Sequence, residues 1–329
     1  MLNTIDLFVG CGGLSEGFEQ SRKYKMIGAV EWEPSPVKEL RNHLKNRWGI
    51  QDSEERVLQF DIQRTEELFN GWKDKKFGES KGLDALVGNR QLDVIIGGPP
   101  CQAYSVAGRI RDEHGMREDY RNYLFESYLK VVQHYKPRVF VFENVPGILS
   151  AKPGDGSVRI IDLIQKAFAD AGYAVLPDLS NAIIDMTEYG VPQNRKRIII
   201  LGVSKEHYGD KAEAMVEKFY SSYLPEYKIE KKATVRDAIG DLPKLRPLDE
   251  PISYLGRKLS HSVSDPLING HISRFHNKRD IELFKFLEED IASGRMKFTS
   301  TKSLKTLYTK LTGKTSNVHK YYVLRWDEP

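Results

Sequence analysis

The feature that most limits the fold is a series of apolar strand patterns, each running directly into a turn with a reactive or polar residue. The clearest is residues 93–102, DVIIGGPPCQ, where an apolar run suited to a strand covered on both faces precedes two glycines and two prolines. The glycines permit close backbone approach, and the prolines stiffen the turn. The pattern therefore predicts that Cys101 is displayed as a nucleophile rather than packed as a small core residue.

A glycine-rich turn near the N-terminus is the second such segment. Residues 4–18 have the pattern of a short strand, a turn and a helix start, and Gly10, Gly12 and Gly13 leave no Cβ between backbone and ligand. Exposed amides at the start of the helix favour polar ligand groups. Turns of this kind serve dinucleotides, phosphates and adenosyl groups alike, so this segment alone does not identify the ligand.

Acidic residues stand at the ends of three further predicted strands. They are Glu31, which Trp32 follows, Asp61, which Ile62 follows, and Glu143. The carboxyl ends of parallel strands meet at one edge of an open α/β sheet, where ligands bind. An acid there can accept hydrogen bonds from two ribose hydroxyls, and a tryptophan can cover an adenine ring.

Two arginines enter the last strand predicted in this region. Arg195 and Arg197 are two residues apart, so in a strand both side chains point to the same face. Together, these segments predict one site with a thiol, a carboxylate, arginines and an adenosyl pocket. Strands are expected near 3–9, 26–30, 57–60, 93–97, 138–142 and 197–203, with helices at 123–135 and 158–171. This alternation predicts a doubly wound α/β sheet to carry the site. Residues 205–233 have the pattern of a charged helical connection, and residues 281–287 that of an amphipathic helix.

The order and spacing of these motifs resemble those of DNA (cytosine-5)-methyltransferases over roughly residues 1–203. The Phe-x-Gly-x-Gly, Pro-Pro-Cys-Gln, Glu-Asn-Val and Gln-x-Arg-x-Arg motifs fall on residues 8–12, 99–102, 143–145 and 193–197. The resemblance implies a Rossmann-like, S-adenosylmethionine-dependent sheet with a second, smaller target-recognition domain for double-stranded DNA. The expected divisions are a catalytic domain at 1–204, a connecting segment at 205–243 and target recognition at 244–329.

The resemblance also implies a role for each site residue. Cys101 would add to C6 of a cytosine rotated out of the duplex, Glu143 would act at N3, and Arg197 at O2, with Arg195 sharing the orienting task. S-adenosylmethionine would be the methyl donor and S-adenosylhomocysteine its product, with no metal. The expected cofactor contacts are Phe8, Gly10, Cys11, Gly12, Gly13, Leu14, Glu31, Trp32, Asp61, Ile62 and Pro100. The expected DNA contacts are Gln102, Ser105, Arg109 and Arg121, the last three in a polar segment predicted to close over the substrate.

Positive charge is concentrated toward the C-terminal end of the chain. Residues 244–329 hold 16 Lys and Arg against 10 Asp and Glu, although the net charge of the whole chain is only +4. Residues 295–325 contain basic, Ser and Thr residues and no acid, which suits a phosphate backbone. A solvated segment has the same composition, so the expected DNA role depends on its position after the Gln-x-Arg-x-Arg motif.

The cysteines and the hydropathy pattern indicate the cellular location of the protein. The chain has two cysteines and no metal-ligand spacing, so neither a disulfide nor a zinc site is expected. It has no signal peptide and no apolar run of about eighteen residues, which predicts an intracellular protein. The resemblance adds a bacterial cytoplasmic or nucleoid location and a restriction-modification system.

One departure from the family pattern concerns the end of the chain. Family members continue past such a segment into a further motif strand and a closing helix, so we expect activity to depend on a missing C-terminal segment or a second polypeptide. Two other functions stay open, a tRNA cytosine-5 methyltransferase and a non-catalytic DNA-binding subunit. A nicotinamide-dependent oxidoreductase is disfavoured because the glycine turn lacks the full GxGxxG spacing.

Overall fold

The chain divides into two compact units. A computed structural model describes residues 1–100, 124–152, 157–264, 268, 270–315 and 327–329. The first unit is Met1–Met186 with Arg195–Lys228, and the second is Thr187–Asn194 with Ile229–Pro329.

The described residues form short strands and helices in alternation. The strands are β1 Leu2–Leu7, β2 Tyr24–Glu31, β3 Val57–Gln59, β4 Trp72–Asp74, β5 Gly78–Ser80, β6 Val94–Gly97, β7 Val139–Asn144, β8 Tyr173–Ala174, β9 Ile183–Asp185, β10 Lys196–Ser204, β11 Pro247–Tyr254 and β12 Arg257–His261. The α-helices are α1 Gly13–Gln20, α2 Pro34–Trp48, α3 Ser53–Arg56, α4 Thr65–Asn70, α5 Gly82–Val87, α6 Leu124–Tyr135, α7 Ile160–Asp170, α8 Lys205–Tyr208, α9 Lys211–Lys218, α10 Val235–Ile239, α11 Lys278–Ala292 and α12 Thr301–Thr312. Shorter helical turns lie at Pro146–Leu149, Leu179–Ala182, Met186–Tyr189, Phe219–Tyr223 and Pro225–Tyr227.

One eight-stranded sheet organises the first unit. Its order is β3-β2-β1-β6-β7-β10-β8, with β9 paired to β10. Strands β1, β2, β3, β6 and β7 are parallel, whereas β10 runs antiparallel to β7. The strand order reverses between β1 and β6, which is the switch point where open α/β sheets bind ligands. The predicted doubly wound α/β sheet is confirmed.

The centre of this sheet is apolar because helices cover it. Ile95 and Ile96 of β6 are fully buried, as expected for an inner parallel strand. Tyr128 of α6 is also fully buried. Its hydroxyl is the donor to two backbone carbonyls, that of Ile95 at 3.1 Å and that of Val141 at 3.0 Å. Burial holds the pKa of Tyr128 well above its ordinary value. The phenol therefore stays neutral and fixes α6 over β6 and β7.

Most predicted elements match the observed ones. Strands expected near 3–9, 26–30, 57–60, 93–97, 138–142 and 197–203 overlap β1, β2, β3, β6, β7 and β10, and helices expected at 123–135 and 158–171 are α6 and α7. Residues 205–233, expected as a charged helical connection, form α8, α9 and shorter turns, and those up to Lys228 belong to the first unit. Ala212 and Val216 are buried there, and the Tyr220 hydroxyl donates to the Ile199 carbonyl at 2.6 Å.

A buried carboxyl group joins β1 to the helix after the glycine turn. Asp6 is 1% exposed, and its Oδ2 accepts a hydrogen bond of 2.5 Å from the Ser15 hydroxyl of α1. Its Oδ1 has no hydrogen-bond partner among the described residues. Burial raises the pKa of Asp6 from 3.8 to about 7, with the nearby Glu31 carboxylate adding to the rise and the Ser15 hydrogen bond opposing it.

This carboxyl group makes stability depend on pH. Because the folded-state pKa lies above the unfolded value, the contribution of Asp6 is fully present below pH 3.8 and is lost as pH rises toward about 7. Asp6→Asn removes this titration. The free energy of unfolding of the variant minus that of wild type should therefore become more positive as pH rises between those limits, by up to about 4 kcal/mol. Urea unfolding at pH 4.5 and pH 8 measures the difference. An equal offset between the two proteins at both pH values would contradict the assignment.

The second unit contains a β-hairpin and a helical hairpin. β11 pairs with β12 in antiparallel fashion, and α11 packs on α12 through a small apolar cluster of Leu283, Leu287, Leu304 and Leu307. The predicted helix at 281–287 lies within α11. Over the described ranges of both units, no helix has the length and apolar character needed to cross a membrane.

Candidate active site

A cavity of about 310 Å³ opens at the carboxyl ends of β1, β2, β3 and β6. Its walls combine aromatic, acidic and backbone groups from four strand ends. The lining residues are Phe8, Val30, Glu31, Trp32, Glu33, Phe60, Asp61, Ile62, Gln63, Gly98, Pro100 and Leu124. This is the size range and position expected of a small-molecule site in an open α/β sheet.

The lining includes six predicted cofactor residues and omits five. Those present are Phe8, Glu31, Trp32, Asp61, Ile62 and Pro100, whereas Gly10, Cys11, Gly12, Gly13 and Leu14 form the turn beside the cavity without lining it. The sequence prediction missed the aromatic wall that Phe60 supplies and the polar groups of Glu33 and Gln63. Their adjacency to Asp61 and Trp32 at the same strand ends is the signal that could have identified them.

The glycine turn acts on the cavity by fixing the Glu31 carboxylate. The Gly10 N–H donates to Glu31 Oε2 at 2.8 Å, and the Glu33 N–H donates to Oε1 at 2.9 Å. Each carboxylate oxygen keeps a further lone pair, so Glu31 can still accept from a pair of ligand hydroxyls. The turn therefore orients the acid at the cavity wall.

Backbone strain at the turn supports this role. Phe8 has a φ of 58°, a left-handed conformation that is uncommon for an aromatic residue and is found at ligand sites. Gly12 has a φ of 87°, and an added Cβ there would lie 2.6 Å from Leu40 Cδ1. The turn thus has to be glycine at Gly12, and it presents Phe8 to the cavity.

The donor set of the cavity fits an adenosyl group. Trp32 and Phe8 offer aromatic surface for a purine, and Phe60 and Ile62 add apolar wall. Glu31 and Asp61 are carboxylates that can accept from ribose or amino groups, and the Asp61 Oδ1 is steadied by the Gln63 N–H at 3.0 Å. Apolar walls with a few placed polar groups are typical of nucleoside-type sites.

The predicted carboxylate and arginine form an ion pair at the same sheet edge. Arg197 Nε lies 2.7 Å from Glu143 Oε1, and the two side chains are 18% and 23% exposed. The pair forms because β10 is antiparallel to β7, which brings the start of β10 to the end of β7; Ile199 is the register partner of Glu143. A partly buried, charge-assisted contact of this kind orients both groups.

Glycine at position 98 connects this ion pair to the cavity. Gly98 lines the cavity, and an added Cβ there would lie 2.7 Å from Glu143 Oε2. The neighbouring Asn144 is 1% exposed and donates from Nδ2 to the Pro99 carbonyl at 3.3 Å. Asn144 therefore holds the turn after β6, and Glu143 reaches the wall that this turn forms.

The remaining predicted site residues divide into two groups. Arg195 is exposed just before β10, and its carbonyl accepts from the Met186 N–H at 2.9 Å. Cys101, Gln102, Ser105, Arg109 and Arg121 lie outside the described residues. Across the positions that the structure does describe, no group of three or more His, Cys, Asp or Glu side chains is arranged to hold a metal ion.

The sheet order, its single antiparallel strand β10 and the cavity at the switch point define the class: an α/β methyltransferase. Among solved structures, a prophage-encoded E. coli protein described as a DNA modification methyltransferase has this fold, with a TM-score of 0.51 and 24% identity over 77% of this chain and 59% of its own. The model of the C-5 cytosine-specific DNA methylases matches residues 2–321. The chain belongs to this family.

Individual relatives agree with the family match. The type II methyltransferase M.Bpa9945I of Bacillus paralicheniformis is 32% identical, over 88% of this chain and 75% of its own length. M.AgeI of Thalassovita gelatinovora is 33% identical, over 77% of this chain and 54% of its own. The chain thus spans three quarters of one relative and about half of the other. Membership implies S-adenosylmethionine as donor, whereas the comparisons give no support to a second polypeptide.

Proposed function

We propose that the protein transfers a methyl group from S-adenosylmethionine to C5 of a cytosine in duplex DNA. The observation that carries this proposal is the Glu143–Arg197 ion pair beside Gly98, at the wall of an adenosyl-sized cavity. A carboxylate and a guanidinium at that point suit a pyrimidine ring, which has a ring nitrogen next to a carbonyl oxygen. Membership in the C-5 cytosine-specific family supports the same reaction.

The reaction requires a nucleophile because cytosine C5 is a poor nucleophile by itself. The Cys101 thiolate adds to C6, which turns C5 into an enamine carbon able to attack an electrophile. Bound S-adenosylmethionine supplies that electrophile, a methyl group on a sulfonium. Transfer of the methyl group to C5 leaves S-adenosylhomocysteine as the product. A base, which can be water, then removes the C5 proton, and the ring expels the thiolate and regains its double bond. Cys101 follows the rigid Gly-Gly-Pro-Pro turn directly in sequence, and Asn144 braces that turn at Pro99.

Glu143 and Arg197 stabilise the charge that develops during thiolate addition. Negative charge moves toward N3 and O2 of the ring, where a carboxyl group can supply a proton and a guanidinium can donate hydrogen bonds. Arg197 also positions Glu143 through their 2.7 Å contact. Arg195, on the approach to β10, shares the task of orienting the base.

The cavity residues would hold the methyl donor on the other side of this pair. Trp32 and Phe8 would cover the adenine, Glu31 would accept from the ribose hydroxyls, and Asp61 with Ile62 would contact the adenine edge. Access to C5 requires that the cytosine leave the base stack.

DNA recognition is assigned to the second unit and to Gln102, Ser105, Arg109 and Arg121. Helix α12 carries no acid, and Lys302, Thr306, Thr309 and Lys310 are exposed along one stripe of it. Its opposite side packs on α11 through Leu304 and Leu307. A face of lysines and hydroxyls suits phosphates, so we assign this stripe, the α12 lysine face, to the DNA backbone.

Removing the two lysines of this face should weaken DNA binding in a salt-dependent way. The double variant Lys302→Ala with Lys310→Ala is expected to lower affinity for specific and non-specific duplexes alike. The plot of log K against log salt should become less steep, with the magnitude of its negative slope reduced by about 2. Fluorescence anisotropy with a labelled duplex at several salt concentrations measures the slope. The charge-matched control is Lys166→Ala with Lys205→Ala, which are exposed lysines of the first unit. Equal salt slopes for the two double variants would exclude the assignment.

The biological role follows from the relatives. M.Bpa9945I and M.AgeI are named as type II methyltransferases, so we place this chain among the modification enzymes of restriction-modification systems. Because both relatives are bacterial and the substrate is DNA, the proposal includes a bacterial cytoplasmic setting.

The proposed reaction is tested by following labelled methyl from S-adenosylmethionine into mixed-sequence duplex DNA. Hydrolysis and chromatography of the product should place the label in 5-methylcytosine. A parallel reaction on tRNA separates a DNA enzyme from a tRNA enzyme. Label in another base, in RNA alone, or in neither nucleic acid would overturn the proposal.

A further inference from the structure

The hairpin formed by β4 and β5 lies against the cavity without belonging to the main sheet. β4 pairs only with β5 among the described strands, through Trp72 with Ser80 and Asp74 with Gly78. The two ends of the hairpin lie close together at its base, since an added Cβ on Gly71 would lie 2.6 Å from the Ser80 carbonyl oxygen. The hairpin is therefore fixed at its base, and its tip is residues 75–77.

An aspartate and an arginine hold the tip in one conformation. Asp74 Oδ1 accepts from the Phe77 N–H at 2.7 Å and from the Lys76 N–H at 2.9 Å, and its Oδ2 lies 2.7 Å from Arg64 Nη1. These backbone hydrogen bonds, followed by the Arg64 contact, lower the pKa of Asp74. The aspartate therefore remains ionised near neutral pH, and the tip keeps its shape.

Aromatic stacking fixes the hairpin to the cavity wall. Trp72 stacks on Phe60 with ring centroids 3.8 Å apart and an interplanar angle of 23°, and Phe77 meets Phe60 edge-on at 5.2 Å. The Trp72 indole N–H donates to the Phe77 carbonyl at 3.3 Å. Phe60 lines the cavity, so the hairpin packs directly behind a wall residue.

The tip also contacts Trp32, the most exposed aromatic residue of the cavity lining. Trp32 is 42% exposed, so a large part of its ring is not packed against the protein. Lys76 Nζ lies 4.0 Å from the centroid of the Trp32 ring, and Phe77 meets the same ring edge-on at 5.9 Å. A cation over an indole and an edge-to-face aromatic contact each favour one ring orientation.

We infer that Lys76 and Phe77 are positioning residues. By orienting the Trp32 ring, they strengthen binding of the methyl donor in the cavity. Pre-orienting a ring before the ligand arrives removes part of the entropy lost on binding, so these two residues raise affinity without touching the ligand. They do not reach the Glu143–Arg197 pair, so the chemical step should be unaffected by them. This inference rests on the proposed function, which supplies the ligand of the cavity.

The inference is tested by calorimetric titration of the full chain with S-adenosylhomocysteine. Lys76→Ala should raise the Kd about two- to fivefold, and Phe77→Ala should raise it by up to about tenfold. Lys76→Arg should restore tight binding because a guanidinium keeps the cation over the ring. Lys75→Ala is the matched control, since it removes the same charge one residue earlier from an exposed side chain and should leave the Kd unchanged.

A double-mutant cycle with Trp32→Leu tests whether Lys76 acts through Trp32. In the Trp32→Leu background, Lys76→Ala should have no further effect on the Kd. An equal loss in both backgrounds, or equal Kd values for Lys76→Ala and Lys75→Ala, would overturn the inference while leaving the proposed function intact. Failure of the wild-type protein to bind S-adenosylhomocysteine would instead overturn the proposed methyl donor, and the inference with it.

Discussion

Cys101→Ser should abolish methyl transfer, with a loss on the order of 10⁴-fold or more, which is the scale seen when the nucleophile of a covalent mechanism is removed. A serine hydroxyl is not ionised near neutral pH and adds poorly to C6, so C5 is never activated. The sharpest measurement uses duplex DNA with 5-fluorocytosine at the target base. Fluorine cannot leave as the C5 proton does, so the wild-type protein should remain covalently attached on a denaturing gel, and the variant should not.

The only other cysteine of the chain provides the control for this experiment. Cys11 lies exposed in the glycine turn, and Cys11→Ser should still form the covalent adduct at saturating cofactor. Adduct formation by Cys101→Ser would show that another group attacks C6, and the proposed mechanism would then be wrong.

Glu143→Gln should lower kcat by about 10² to 10³, the loss expected when a preorganised group that stabilises developing charge is removed. Glutamine has nearly the same shape but has no carboxyl group to act at N3, and it carries no charge to pair with Arg197, which lies 2.7 Å from Glu143 Oε1. The Kd for S-adenosylhomocysteine should not change, because Glu143 is not among the residues that line the cavity. Single-turnover rates at saturating cofactor and DNA isolate the chemical step.

A second glutamate gives the matched comparison. Glu213 also pairs with a basic side chain, Lys205, at 2.7 Å, but both groups are about half exposed and lie away from the cavity lining. Glu213→Gln should therefore retain the wild-type rate. Rates within a few-fold of wild type for Glu143→Gln would remove this carboxylate from the mechanism.

Sequence reasoning was most successful where strand ends determine position. Glu31, Trp32, Asp61 and Ile62 follow apolar strands, and the rule for parallel sheets places such residues at one edge, where the cavity is found. The glycine turn was also located, but not the hydrogen bond from the Gly10 N–H to Glu31, which depends on a register that the sequence does not reveal.

Other features could not be predicted because tertiary packing creates them. β4 and β5 have three residues each and a lysine-rich turn, so no hydrophobic alternation marks them, and their position depends on Phe60 stacking on Trp72. Burial in α9 is limited to Ala212 and Val216, too few to distinguish a packed helix from a connection. The Glu143–Arg197 contact likewise depends on strand order, which local patterns leave open.

The antiparallel direction of β10 has a consequence for biosynthesis. The five parallel strands are complete once residue 144 has left the ribosome, but the arginine that neutralises Glu143 is translated later, with β10. A nascent chain that folds as it emerges therefore presents an unpaired carboxylate and an uncovered β7 edge until that strand arrives. Strand β10 both covers the edge of β7 and supplies Arg197, so the β7 edge is protected and Glu143 gains its partner in the same step.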